Sequence, residues 1–260
     1  FQGSRGLGDV YKRQVFIYGR YRKLSRGIPQ TRWPCRSCRG RSEGCEACEG
    51  TGLQYPDSVQ DLIGEPFRLV LSAENTSFHG MGREDIDVRC LGRGRPFVLE
   101  VNHPRVRRTD LEEVMKVVNS NGADKIEISD LRWTNRSEVS RVKETRAEKS
   151  YTIRFSVEEQ PEESFIIESI SKLSGVTLEQ QTPKRVSHRR ADLIRKRKVV
   201  SIDNVVVEDS EVQFSVRCEA GTYVKELVHS DEGRTVPSVA GVLGSPCEVI
   251  WLDVEDIHAD

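Results

Sequence analysis

No apolar run in this chain approaches the length of about 20 residues that a helix needs to cross a bilayer. Nothing in it resembles a secretory signal, so the expected address is the cytoplasm, with no membrane partner. Charge of one sign is not in excess either. The 40 Lys and Arg residues are set against 41 Asp and Glu, for a formal net charge of −1, which argues against a uniformly basic nucleic-acid binder. Internal repeats and long linkers are also missing. What is present is 260 residues with 36% hydrophobic and 31% charged content, the composition of a soluble globular protein of one large domain or two small ones. The opening Phe1-Gln2-Gly3-Ser4 has the look of a protease-cleavage remnant, and RGLGDVYKRQ after it that of cloning carry-over. Residues 1–14 are therefore set aside, leaving one domain over 15–260.

The near-neutral average hides separated stripes. Arginines crowd residues 20–41, and a second basic run over 184–198 includes Arg189 and Arg190, while acids gather around Glu158–Glu168. Separated basic stripes can neutralise phosphates along a folded RNA while the remaining surface stays acidic. A solvated, internally paired face is the other reading.

Four of the seven cysteines form Cys35-x-x-Cys38 and Cys45-x-x-Cys48. Two such knuckles supply four soft thiolates that can close a tetrahedral zinc site over a loop at 34–52, and the absence of secretory features favours metal over disulfides. Cys90, Cys218 and Cys247 sit in apolar surroundings and are expected to pack as small core residues. CEACEGTG is also similar to the zinc region of the Hsp40 chaperones. That likeness supplies a rival function, a non-catalytic zinc-containing RNA-binding or chaperone-type module, although the further repeats of that region are missing here.

Periodicity predicts strands at 67–73, 85–91 and 97–101, then a helix opened by a Thr109/Glu112 capping box and stopped by Asn121-Gly122. A strand follows at 125–128 and a strictly alternating one at 151–158. A helix over 164–175 ends at Gly175. Residues 205–207 and 211–220 make a hairpin-like pair, 223–228 and 237–243 short helices, and 249–254 a last strand. The fold class is α+β: a mixed, mainly antiparallel sheet with flanking helices.

Residues 78–101, FHGMGREDIDVRCLGRGRPFVLEV, place Arg83, Glu84, Asp85 and Asp87 among glycines where an apolar run begins. A carboxylate on a Gly-flanked turn beside arginines can be a reactive group, because glycine permits close approach and arginine keeps the acid ionised. An ordinary solvated turn has the same composition. The pattern Gly-Arg-Glu-Asp-x-Asp-x-Arg-x-Leu-Gly-x-Gly-Arg-Pro-Phe resembles the signature of the archaeal and eukaryotic tRNA pseudouridine synthases of the "ten" family. FIYGRYRKLSRGIPQTRWPC (16–35), TPKRVSHRRADLIRKRKV (182–199) and GTYVKELVHSDEGRTVPSV (221–239) resemble the same family in the same order.

The resemblance implies a pseudouridine synthase fold, a sheet divided by a central cleft, without the family's N-terminal RNA-binding domain. It implies isomerisation of uridine in the T loop of tRNA, at position 54, 55 or both, with no organic cofactor and no obligatory protein partner. By match to the motifs, Asp85 is the catalytic aspartate and Asp87 its nearby control. Tyr151, in Glu-Lys-Ser-Tyr-Thr-Ile, is similar to the Lys-x-Tyr tyrosine that stacks on the target uracil. Lys225 matches the basic partner that keeps the aspartate anionic. Arg83 would enter the RNA stack as the uridine flips. Tyr223 and Leu227 would line the pocket or pack under it, Leu243 and Leu252 would form its apolar wall, and Arg93 and Arg95 would meet phosphates. Neither His103 nor His188 has a partner pattern that makes it a base. Binding alone does not require Asp85, Tyr151 and Lys225 together, so the trio favours the enzyme over the rival module.

Overall fold

The computed structural model describes residues 14–159 and 161–259, without the side chain of Arg189. The carry-over expected at 1–14 thus lies outside the described residues except for Gln14, which already belongs to a strand. The first half of the chain supplies β1 (Gln14–Lys23), α1 (Val59–Val70), β2 (Asn75–Gly80), β3 (Arg89–Asn102), α2 (Leu111–Asn121), β4 (Ile126–Thr134) and α3 (Arg136–Glu144). The second supplies β5 (Glu148–Val157), α4 (Glu163–Ser171), β6 (Thr177–Gln181), β7 (Ile194–Glu208), β8 (Glu211–Cys218), α5 (Val224–His229), β9 (Thr235–Val236), α6 (Val239–Leu243) and β10 (Cys247–His258). A 3-10 turn, Lys184–Arg189, leads into β7.

Ten strands join in the order β4-β1-β3-β10-β5-β8-β7-β6-β9, with β2 also paired to β3. The sheet is mixed and mainly antiparallel, as expected. Its parallel contact is between β10 and β3, where only Asp253↔Arg89 and Val254↔Cys90 are in register. Two cores pack against the sheet, and the second runs through the short join, since it contains Cys90 and Val254 together with Phe16, Tyr18 and Val98 of the first half. In the first, Ile63 and Phe67 of α1 and Val114 and Val118 of α2 cluster with Ile17, Tyr21, Phe97, Leu99 and Ile128 of the sheet. In the second, Ile166 and Ile170 of α4 and Leu227 of α5 cluster with Ile153, Phe155 and Phe214. Cys90, Cys218 and Cys247 are buried in this second core, as expected.

Three local expectations are corrected. Residues 67–70, read as strand, are the last turn of α1. Ser58 caps that helix by accepting from the Asp61 amide, and Val59, Ile63 and Phe67 bury one face at four-residue spacing. Exposed Leu69 and Val70 extend the apolar run and mask the period. The cap of α2 is Asp110, whose carboxylate accepts from the Glu112 amide at 2.9 Å, and not Thr109. Residues 85–88 are turn, with the strand starting at Arg89.

Candidate active site

The turn at 81–88 links β2 to β3, and a buried polar frame holds it. The Met81 amide donates to the Pro96 carbonyl at 2.9 Å, folding the turn back on its own strand. Glu84 points inward with a fully buried carboxylate that accepts from Arg95 Nε at 2.9 Å and from the Tyr21 hydroxyl at 3.0 Å. Arg95 also donates to the Met81 carbonyl at 2.7 Å, and Gln30 donates to the Gly82 carbonyl at 3.0 Å. From β1, the ammonium of Lys23, a residue 0% exposed, donates to the carbonyls of Ile28, Asp85 and Ile86 at 2.9, 3.1 and 3.2 Å. Burial lowers the Lys23 pKa and the Glu84 charge opposes it. Arg26 spans the join between the halves, donating to the carbonyls of Asp87 at 2.8 Å and of Leu252 at 3.0 Å. With the backbone pinned and Glu84 turned in, the intervening residue geometry presents Asp85 to the cleft.

Asp85 Oδ2 lies 2.8 Å from Arg185 Nη1 and 3.6 Å from Lys225 Nζ. Lys225 is closer to Asp87, at 2.7 Å. Burial raises the Asp87 pKa, but the Lys225 hydrogen bond and charge outweigh it and hold the carboxyl below its ordinary value. Arg185 is gripped from behind by Glu226, whose side chain is 1% exposed, at 2.6 Å. Asp85, Arg185 and Lys225 line a cavity of about 280 Å³ together with Arg83, Lys149, Tyr151, Arg190, Tyr223, Leu252 and Val254, while Asp87 and Glu226 stand outside its lining. Burial, helped by the nearby Arg95 charge, lowers the Lys149 amine to about 8. Burial raises the Tyr151 phenol well above its usual value, so the ring enters as a neutral, flat, apolar surface.

The structure therefore brings Asp85, Tyr151, Lys225, Arg83, Arg190 and Tyr223 to one cavity. Other expectations are revised. Arg95 reaches the cavity wall but is 1% exposed and committed to Glu84, so it is a strut rather than a phosphate contact. Arg93 is outside the cavity and pairs with Asp256 at 2.9 Å. Leu227 does not line the cavity; it is a fully buried core residue, in one cluster with the cavity-lining Val224 and Leu252. Leu243 is likewise core, and Leu252 alone of that pair lines the cavity. The Arg189 side chain lies outside the described residues. Sequence reasoning missed Arg185, Lys149, Glu226, Lys23 and Tyr21. Lys149 was legible as the lysine of Lys-x-Tyr, and Arg185 lies within the quoted basic segment; the buried partners carry no local signal.

The cysteine loop is a hairpin closed by a Pro34↔Leu53 bridge and a Cys35 amide to Gly52 carbonyl bond of 2.8 Å. Trp33 and Tyr55 meet edge to face at its base, with ring centroids 5.6 Å apart. The four sulfurs all lie within 4.8 Å of one another, with Cys35–Cys45 at 4.0 Å and Cys38–Cys48 at 3.8 Å. Four Zn–S bonds of about 2.3 Å at tetrahedral angles place sulfurs about 3.8 Å apart, so the donor set and its spacing fit zinc. The Gly52 amide donates to Cys48 Sγ at 3.2 Å, and a side chain at Gly52, with φ +73, would press within 3.0 Å of the Gly40 carbonyl.

A search of known proteins finds relatives named tRNA pseudouridine synthase Pus10. The one from Methanothrix thermoacetophila is 48% identical over 256 residues, which is 98% of this chain and 56% of that protein. Those of Methanosphaera stadtmanae and Methanocaldococcus jannaschii are 45% and 46% identical, each over 94% of this chain and 59% and 53% of their own lengths. The chain thus spans little more than half of these relatives. The family described as Pus10, C-terminal matches residues 16–258, a span that takes in the framed turn, the cavity and the cysteine loop alike. On that match, the chain belongs to the Pus10 C-terminal family.

Proposed function

We propose that this chain is the catalytic portion of a tRNA pseudouridine synthase, with Asp85 as the catalytic carboxylate. The observation that carries the reading is a partly exposed aspartate, on a rigidly framed turn, facing a tyrosine and two cations in one cavity. Arg185 and Lys225 set two positive charges beside the Asp85 carboxylate that either route to the product uses. The carboxylate can attack C1′ as the N1–C1′ bond breaks, or take the 2′ proton as base; in both, the bonding pair leaves with the uracil ring. The Tyr151 ring retains the detached base while it turns to present C5. C5 then bonds to C1′, with the Asp85–C1′ bond breaking in the first route or the 2′ proton returning to C2′ in the second. Release of the C5 proton with protonation of N1 completes an isomerisation that changes no atom count and uses no organic cofactor.

Arg83, exposed at the cavity rim, is suited to occupy the RNA stack when the uridine flips out. The target is a T-loop uridine at position 54, 55 or both, the tRNA is the partner, and the cytoplasm is the compartment. Among the described residues no helix is long and apolar enough to cross a membrane. One structural zinc is held by Cys35, Cys38, Cys45 and Cys48, stiffening a loop that carries Arg36, Arg39 and Arg41. The decisive experiment incubates the protein with an unmodified tRNA transcript and maps pseudouridine by chemical adduct and primer extension. Conversion at a T-loop uridine is expected, and a transcript left unmodified by the wild-type chain defeats the reading.

A further inference from the structure

The end of the sheet remote from the cleft carries a second cationic surface. β3 runs into His103-Pro104-Arg105-Val106-Arg107-Arg108, a loop tied to the end of α1 by a Val106 amide to Leu71 carbonyl bond of 3.0 Å. The Arg108 guanidinium lies over the Trp133 ring, 4.5 Å from its centroid, which brings this loop against the end of β4 where α3 begins with exposed Arg136. Arg132 stacks on Tyr18 at 4.2 Å and shares the Glu138 carboxylate with Arg141. The other acids close by are committed: Glu74 meets His103 at 3.0 Å, and Asp110 caps α2. Arg105, Arg108 and Arg136 are exposed, and none has a carboxylate partner among the described residues.

Three guanidiniums without a carboxylate partner, one of them held over an aromatic ring, suit an RNA backbone better than a purely solvated face. Their position says which part of the RNA. The catalytic turn docks at Pro96, whereas the loop departs after Asn102, six strand residues further. At about 3.4 Å per residue the loop leaves the strand roughly 20 Å from the turn, while Trp133 beneath Arg108 pairs with Ile17 and so lies level with Leu99, roughly 10 Å along the strand from Pro96 and two strands across from β3. Resting on the tRNA reading above, we infer that Arg105, Arg108 and Arg136 contact tRNA phosphates away from the nucleotides that flank the target uridine.

The test compares wild-type protein with an Arg105→Ala/Arg108→Ala/Arg136→Ala variant. Binding of whole tRNA and of a short single-stranded RNA centred on the target uridine is measured between about 50 and 200 mM salt. With whole tRNA, the slope of log affinity on log salt should flatten by about 2 to 3 in the variant, at about 0.7 to 0.9 per contact. With the short single strand it should not change, and turnover at saturating tRNA should also hold. An unchanged slope with whole tRNA, or equal flattening with both RNAs, overturns the inference. Failure of the parent reading looks different: the wild-type chain then converts no uridine at all, whatever the slopes.

Discussion

Asp85 and Asp87 carry the same side chain two residues apart, and their neighbours separate them. Asp85 meets Arg185 at 2.8 Å at the cavity, while Asp87, 60% exposed at its side chain, is held by Lys225 at 2.7 Å. Asp85→Asn should lower the rate of pseudouridine formation by at least about 100-fold with tRNA binding retained, as expected for loss of a positioned acid–base or nucleophilic group. Asp87→Asn should keep substantial activity; the reverse ranking would mean the motif has been misaligned. Lys149 offers a pH signature. Its folded pKa, about 8, lies below the ordinary 10.5, so below about 8 both states carry the charge and the burial penalty is fully present. Between those values the unfolded chain binds more protons, so stability rises with pH. Lys149→Met should therefore stabilise the protein most at pH 7, by up to roughly 3 kcal/mol, and its advantage should fade above pH 10. Denaturant unfolding of both proteins across that range checks it, and a pH-independent difference would contradict a charged, desolvated amine.

Among the elements, the cysteine loop and the 184–198 segment contrast. The loop's only cluster of ligands is its four sulfurs, so about one zinc per chain is expected by elemental analysis, and Cys35→Ser/Cys38→Ser should lose it while the cavity residues stay in place. Full metal retention in that variant would rule the site out. The 184–198 segment reads in sequence as one phosphate-binding stripe, but folding diverts much of it. Lys184 pairs with Glu232, Arg185 with Asp85 and Glu226, and Lys196 with Glu179. Arg190, bonded only to the Tyr223 hydroxyl among the described partners, remains at the cavity rim. A 3-10 turn carrying arginines thus serves the site more than the surface.

For the whole molecule, the two halves meet through two register pairs and through side chains that cross them, notably Arg26 and Arg89 on Asp253, at 2.7 and 2.6 Å. The Glu84–Arg95 pair anchors the 81–88 turn within the first half. Arg95→Met would leave a buried carboxylate without its cation, which costs about 3 to 5 kcal/mol, and the thermal midpoint should fall by roughly 10 °C. Adding Glu84→Gln to that variant should recover part of the loss, because the stranded charge is then gone. No recovery, or no drop in the single variant, would show that the pair does not frame the turn.

What the sequence alone determined was whatever lives within a few residues: paired Cys-x-x-Cys spacing, the Gly-flanked acidic turn, the strict alternation of β5 and the α+β class. Motif likeness extended this to Asp85, Tyr151 and Lys225, which the fold does bring to one cavity. Tertiary structure alone decided which cation touches Asp85, since Arg185 lies 100 residues away and Lys225 turns instead toward Asp87. It also decided that Arg95 and Leu227 are interior, and that β1, with buried Arg20 and Lys23, is a central strand despite its charges. Caps, spacing and periodicity are short-range properties of the chain. Burial and ion pairing depend on which distant segments pack together, and a charged side chain looks the same in sequence whether it ends in solvent or against a buried partner.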